Sequence, residues 1–301
     1  MISMEGNIVL LSSTGVIGSY LYEQLQNDFS NNLIGTFYKS KNSKQKFFVD
    51  LGCNDSITKF LNKIKNINTL IFTVGLAHKK GKDSNFDEFK NINHDSLVRF
   101  MDILEKFKIA PPKIIFLSSI SIYGEKFSKK YYFEDSITSP LSPYARTKLL
   151  AENYLIERYR DKVWILRLAP VYSQKFRLNI LRRTEFFGLK YKVGNGENRL
   201  SLCHINNISC VIKSIICGEV PYGIYNISDE KTYTFADILV KKGITIAIPK
   251  FIIKIVFYIG KITKNIFLLE NSIKLLSENI FPSSKIQKYI DLKYNFNDSK
   301  N

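Results

Sequence analysis

Along the first half of the chain, short uninterrupted apolar runs alternate with stretches whose apolar positions recur at helical spacing. The runs predict strands at Asn7–Leu11, Leu33–Phe37, Lys46–Val49, Thr69–Thr73, Lys113–Ser118 and Val163–Leu168. The periodic stretches predict helices at Ile17–Gln26, Ser56–Lys65, Asp95–Phe107 and Tyr144–Arg160. Strands separated by helical segments specify βαβ units, and hence an α/β fold with a parallel sheet covered on both faces. After Tyr172 the rhythm weakens, and loops, a Gly-Asn-Gly turn at 194–196 and a Lys-rich apolar segment take over. The expected division is a sheet-forming domain over 1–172 and a smaller lobe over 173–301, with some of its segments returning to the first domain.

With 301 residues the chain can build one large domain or two modest ones around a sizeable core. An apolar content of 45% against 24% charged residues excludes a disordered or collagen-like chain. The 44 Lys and Arg against 27 Asp and Glu give a net charge of +17, which attracts anions such as nucleotides or an acidic lipid surface. No compact basic cluster interleaves with aromatics to stack bases, so no nucleic-acid partner is expected. Four cysteines without a CxxC pair and three scattered histidines predict no metal site and no disulfide framework, and fit a reducing cytoplasm. Cys203, Cys210 and Cys217, seven residues apart, read as core positions. Neither a secretory signal nor an apolar run approaching about 18 residues is present in the sequence.

Two constellations carry chemistry. The first, Ser12-Ser13-Thr14-Gly15-Val16-Ile17-Gly18, follows the first strand with the spacing of a glycine-rich dinucleotide loop in which serine replaces the first glycine. Small residues there let the backbone approach a pyrophosphate, while the helix N-terminus supplies amide donors and positive dipole. The second begins with Ser118-Ser119-Ile120-Ser121-Ile122-Tyr123-Gly124 at a strand end and continues with Tyr144-Ala145-Arg146-Thr147-Lys148 opening a helix. Tyr and Lys four apart share a helix face, and an ammonium beside a phenol lowers the phenol pKa toward proton transfer at neutral pH. Either motif alone is common by chance; the two together are not.

With these residues the chain resembles the extended short-chain dehydrogenases/reductases, also called the NAD-dependent epimerase/dehydratase family, over nearly its whole length. The resemblance extends to Asp50-Leu51, Ile92-Asn93, the LRLAPVY stretch Leu166–Tyr172 and the NRLSLCHI stretch Asn198–Ile205. Val74-Gly75-Leu76-Ala77-His78, SSISIYGE and Ile248-Pro249 before an apolar helix are most similar to bacterial UDP-sugar 4-keto reductases and 4-epimerases.

The resemblance implies a Rossmann-type doubly wound parallel sheet that binds NAD(P), a smaller C-terminal substrate-binding lobe, and a homodimer. It implies oxidoreduction at C4 of a nucleotide-linked hexose, UDP being the nucleotide, in surface-polysaccharide sugar biosynthesis. Tyr144 becomes the general acid/base, Lys148 holds the nicotinamide ribose and tunes Tyr144, and Ser119, 25 residues before Tyr144, bonds the reacting oxygen. Ser12, Gly15, Val16, Ile17, Gly18, Lys39, Asp50, Leu51 and Gly75 join Tyr144 and Lys148 in holding the cofactor. His78, Ser119, Asn179 and Arg199 are the expected substrate contacts, Arg199 as a cation for the diphosphate.

Where this sequence departs from the family pattern, the expectations change. Leu200 stands where many relatives have arginine; Arg199, one residue early, points to the other strand face. Ile120-Ser121 replaces the Asp-Glu pair of the 4,6-dehydratases, which removes the acid and base for elimination and excludes that branch. No acidic residue stands at Thr36–Ser40 to accept the ribose hydroxyls of NAD, whereas Lys39 or Lys41 can meet a 2′-phosphate; this tilts the expectation toward NADP. The competing readings are an enzyme of a lipid-linked sugar and a non-catalytic dinucleotide-binding module. Lys250–Lys264 is apolar around most of a helical wheel, with Lys250, Lys254, Lys261 and Lys264 on one stripe. It is read as a helix packed in the small lobe, with peripheral contact to anionic lipid on the inner membrane face as the alternative.

Overall fold

The computed structural model describes residues 5–39, 46–64, 66–77, 85–124, 126–239 and 244–299. The chain begins with β1 (Asn7–Leu11), α1 (Val16–Phe29), β2 (Leu33–Phe37), β3 (Lys46–Phe48), α2 (Asn54–Leu61) and β4 (Ile67–Phe72). It continues through α3 (Phe86–Lys90), a π-helical turn at Asn91–Asp95, α4 (Ser96–Lys106), β5 (Lys113–Ser119), α5 (Pro143–Tyr159) and β6 (Val163–Leu168). Next come β7 (Val171–Tyr172), α6 (Leu178–Thr184), β8 (Glu185–Phe186), β9 (Leu189–Val193), β10 (Arg199–Leu200), β11 (Cys203–His204) and α7 (Ile205–Cys217). The last elements are β12 (Gly223–Ile227), β13 (Tyr233–Thr234), α8 (Phe235–Ile238), β14 (Thr245–Ile248), α9 (Lys250–Ile262) and α10 (Ile266–Leu276). Every strand and helix expected in the first half forms, with ends displaced by a few residues.

Seven strands make one sheet in the order β12-β6-β5-β4-β1-β2-β3. The pairings of β1 with β2 and β4, of β2 with β3 and of β4 with β5 are parallel. From β1 the chain moves outward to β3 and then returns to β4 on the other side. That reversal leaves a crevice position beyond the C-terminal ends of β1 and β4, where doubly wound sheets bind ligands. Ile8 to Leu11 are wholly buried, as expected of a strand covered on both faces. Val9, Phe72, Phe100, Phe116 and Leu155 belong to one core on this sheet.

The chain divides into two compact units, the first made of Met1–Ser119, Pro143–Arg167 and Ser209–Tyr225, the second of Ile120–Ser142, Leu168–Ile208 and Asn226–Asn301. The path between them is interleaved: Ile120–Ser142 leaves the first unit between β5 and α5, ahead of residue 172, and Ser209–Tyr225 returns to supply most of edge strand β12.

The second unit has its own core around Tyr172, Ile180, Leu202, Tyr233, Phe235 and Phe296. Buried Asp229 accepts four hydrogen bonds there: from Tyr172 Oη (2.5 Å) and Tyr233 Oη (2.8 Å) at Oδ2, and from the His204 amide (2.6 Å) and Asn207 Nδ2 (2.9 Å) at Oδ1. Burial nevertheless pushes its carboxyl up to about 6.

Two expectations for this unit are corrected. Cys203 is buried, but Cys210 is only half-buried and Cys217 is exposed. Cys203 lies in β11 and the other two in α7, so the seven-residue spacing relates Cys210 and Cys217 on one face of α7 but does not carry across the element boundary to Cys203. In α9, Phe251, Ile252 and Ile255 are exposed rather than packed, while Phe257 is half-buried against Phe127, ring centroids 5.0 Å apart. α9 docks through its other side: Ile253 and Gly260 are its buried residues, and a Cβ at Gly260 would come within 2.9 Å of the Leu268 Cβ in α10.

Candidate active site

β1 ends at Leu11, and the chain turns through Ser12 at φ 65°, the left-handed conformation that glycine adopts without strain. The Ser12 amide donates to Thr36 Oγ1 (3.0 Å), and Thr73 Oγ1 donates to the Leu11 carbonyl (2.6 Å), so threonines after β4 and in β2 secure the turn. Thr14, Gly15 and Val16 are exposed. Gly15 is the N-cap of α1; no side chain caps this end, and no acidic residue lies in its first turn. Gly18 is buried, and a Cβ there would lie 2.0 Å from the Ser12 carbonyl oxygen, so the helix start and the turn touch backbone to backbone. An uncapped helix start beneath a small-residue turn fits a dinucleotide pyrophosphate.

The first two turns of α5 bring Tyr144 and Lys148 to the end of β5. Ser119 hydrogen-bonds the Tyr144 phenol. Lys148 is buried, donating from Nζ to the Leu117 carbonyl (2.9 Å) and the Val74 carbonyl (3.1 Å), with its ammonium over the Phe116 ring at 4.6 Å. Gly75 is exposed next to it; a Cβ there would sit 3.2 Å from Lys148 Nζ. The expected electrostatics are corrected. Burial raises the Tyr144 pKa, with the Ser119 bond acting against it, and burial lowers Lys148 to about 7, with the Glu152 charge acting against that. The lysine is bound to a carbonyl of β5 and to one just after β4, and its charge does not dominate the phenol.

Two supports of this site are not in the expected set. Asn93, wholly buried in the π-helical turn, accepts from the Leu76 amide (2.6 Å) and donates to the Leu76 carbonyl (3.2 Å) and to Thr147 Oγ1 (3.1 Å). It thereby ties the segment after β4 to α5. Glu152, one turn beyond Lys148, forms a buried ion pair with Arg167 of β6 (2.8 Å), their side chains 1% and 5% exposed. For Asn93 the available signal was the Ile92-Asn93 pair of the resemblance, and for Glu152 it was polarity at a position where the period of α5 calls for an apolar residue.

The remaining expected residues are dispersed. Lys39 is exposed after β2, its ammonium 5.5 Å from the Tyr38 ring centroid. Asp50 accepts from the Gly52 amide (2.8 Å), and the Leu51 carbonyl accepts from Arg99 (2.8 Å), both in the passage into α2. Ile17 is half-buried in the first turn of α1. Asn179 and Arg199 belong to the second unit. There Asn179 Nδ2 donates to the Val171 carbonyl (2.8 Å), while Arg199 is exposed in β10 with Leu200 buried on the opposite face. His78 and Lys41 lie outside the described residues.

Known proteins are similar to this chain to differing extents. The uncharacterized UDP-glucose epimerase YtcB of Bacillus subtilis is 28% identical over 188 residues, 56% of this chain and 58% of that protein. Protein CapI of Staphylococcus aureus is 30% identical over 167 residues, 49% of each chain. The matched region thus spans about half the length of these relatives. The crystal structure of UDP-glucuronic acid 4-epimerase from Bacillus cereus, in complex with UDP-glucuronic acid and NAD, has the same fold, with a TM-score of 0.72 at 17% identity, covering 97% of this chain and 95% of that one. Residues 8–227, which include the α1 turn and the Ser119, Tyr144 and Lys148 set, match as a whole, and the chain belongs to the NAD dependent epimerase/dehydratase family.

Proposed function

We propose that the protein is an NAD(P)-dependent oxidoreductase acting at C4 of a UDP-linked hexose, as a 4-epimerase or a 4-keto reductase, in surface-polysaccharide sugar biosynthesis. The observation that carries this reading is the Ser119, Tyr144 and Lys148 set at the end of β5, in the same unit as the open glycine-lined start of α1. The printed name of YtcB and the UDP-sugar and NAD bound by the Bacillus cereus epimerase support it.

A bound dinucleotide supplies hydride transfer. Two of the three Lys148 N–H donors go to the Leu117 and Val74 carbonyls, which fixes the ammonium and leaves one donor for a cofactor hydroxyl. Tyr144 passes a proton between its phenol oxygen and the C4 oxygen. Its burial favours the neutral phenol, which is the proton donor that reduction of a ketone requires. Ser119, already bonded to that phenol, orients the C4 oxygen. Asn179 and exposed Arg199 are assigned to the diphosphate, His78 to the sugar, and Lys39 to a 2′-phosphate.

The test is incubation of pure protein with UDP-hexoses and their 4-keto derivatives, with and without NADPH or NADH. An epimerase interconverts sugars without net cofactor consumption, whereas a reductase consumes reduced cofactor only with a keto sugar. Dinucleotide binding with no turnover of any of these would replace the enzyme by a binding module.

A further inference from the structure

α9 carries one buried side and one that nothing described covers. At 3.6 residues per turn, Phe251, Ile255, Tyr258, Ile259 and Ile262 fall on one arc, opposite the side marked by buried Ile253 and Gly260. Their exposure is large for apolar side chains: 61% for Phe251, 53% for Ile255, 60% for Tyr258 and 82% for Ile262. Beyond the helix Phe267, at the start of α10, is also exposed. Contiguous apolar surface of this kind marks an interaction site rather than ordinary scatter.

Charge identifies the occupant. Lys250, Lys254 and Lys261 line one flank of the arc, Lys264 follows the helix, and 250–264 contains no acidic residue. All four lysines are exposed. An apolar arc edged by cations is the geometry of a helix lying in a bilayer interface, with its rings and aliphatic chains among the acyl tails and its ammonium groups at the phosphates. A second copy fits poorly, because a two-fold contact through this arc with the helices antiparallel would bring two lysine stripes together without a carboxylate on either helix, and with the helices parallel would leave both stripes unpaired.

We propose that the exposed face of α9 docks the protein onto an anionic lipid bilayer as a peripheral contact. Among the described residues no helix is long and apolar enough to cross a membrane, so the contact is interfacial. The proposal stands apart from the reaction assigned above and is tested without reference to activity.

The experiment is co-sedimentation of the full chain with vesicles of phosphatidylcholine alone and of equal parts phosphatidylcholine and phosphatidylglycerol. The full chain is expected to pellet with the anionic vesicles, more weakly at high salt, and not with the neutral ones. The triple variant Ile255→Ser, Ile259→Ser and Ile262→Ser is expected to lose binding while keeping its circular dichroism and thermal midpoint, since these side chains are exposed. In case that variant folds poorly, Lys254→Gln and Lys261→Gln provide a second measurement at exposed positions, with partitioning lowered about fivefold per lysine. The proposal is overturned by an unmodified chain that stays in the supernatant, by folded variants that pellet as well as it does, or by a dimer that the serine variant converts to monomers without any vesicle binding.

Discussion

Tyr144 and Lys148 share a helix face, yet each is set by a different neighbour: the phenol by burial and Ser119, the ammonium by the Leu117 carbonyl of β5 and the Val74 carbonyl just after β4. Replacing Tyr144 by Phe keeps the ring and removes the proton. Turnover is expected to fall about 100-fold or more, with dinucleotide affinity nearly unchanged in a fluorescence titration. Near-normal turnover would remove Tyr144 from the chemistry. At the cofactor's other end, Lys39→Glu should weaken NADPH binding more than NADH binding, because a carboxylate repels a 2′-phosphate and can accept from a 2′-hydroxyl. Equal losses in parallel titrations would reduce Lys39 to a solvated charge resting on Tyr38. The tyrosine–lysine spacing was legible in the sequence because one helix supplies both residues. The lysine's partners were not, because Val74 and Leu117 are brought to it by sheet pairing between distant segments.

Elements with a strong local signal formed where the sequence placed them. β1, β2 and β6 have the expected bounds because each is a short apolar run closed by turn residues or by a change of period. α9 shows the limit of that reading, since its pattern specified a helix and an apolar arc but not which arc would be covered. Gly260 decided this by letting α10 approach on its side. The turn between β1 and α1 is a third case, where one residue works against the element. Ser12 holds φ 65°, a conformation that costs a side-chain-bearing residue roughly 1–2 kcal/mol. Ser12→Gly removes that strain but loosens the unfolded chain, so a net stabilisation of about 0.5–1 kcal/mol is expected in urea unfolding, with dinucleotide binding retained. Gly18→Ala should act in the opposite direction, by about 1–3 kcal/mol, because its Cβ would lie 2.0 Å from a backbone oxygen. If both substitutions left the urea midpoint unmoved, the strained turn described here would be wrong.

At the scale of the whole molecule, the alternation of strands and helices implied a parallel sheet, while neither the order of its strands nor which segments pass between the two units followed from it. No composition shift marks the departure at Ile120 or the return at Ser209, and only tertiary pairing shows that Ser209–Tyr225 belongs with the sheet. The polar centre of the second unit was equally hidden, because Tyr172, His204, Asn207, Asp229 and Tyr233 meet only after folding. This centre gives stability a pH dependence whose sign can be worked out. Burial raises Asp229 from an ordinary 3.8 to about 6, so between those values the folded chain holds a proton that the unfolded chain has released. The contribution is therefore fully present below about pH 4 and is lost as pH rises toward 6. A shift of about two units, at 1.36 kcal/mol each, makes it about 3 kcal/mol. Asp229→Asn cannot titrate, and its amide group turns N–H donors toward hydroxyl and amide donors, so the variant should be less stable throughout. The decisive quantity is the stability of the unchanged chain minus that of Asp229→Asn, measured by urea unfolding at closely spaced pH values. That difference should shrink by up to about 3 kcal/mol from pH 4 to pH 6 and level off above it, and a difference independent of pH would mean that Asp229 stays ionised in the folded protein.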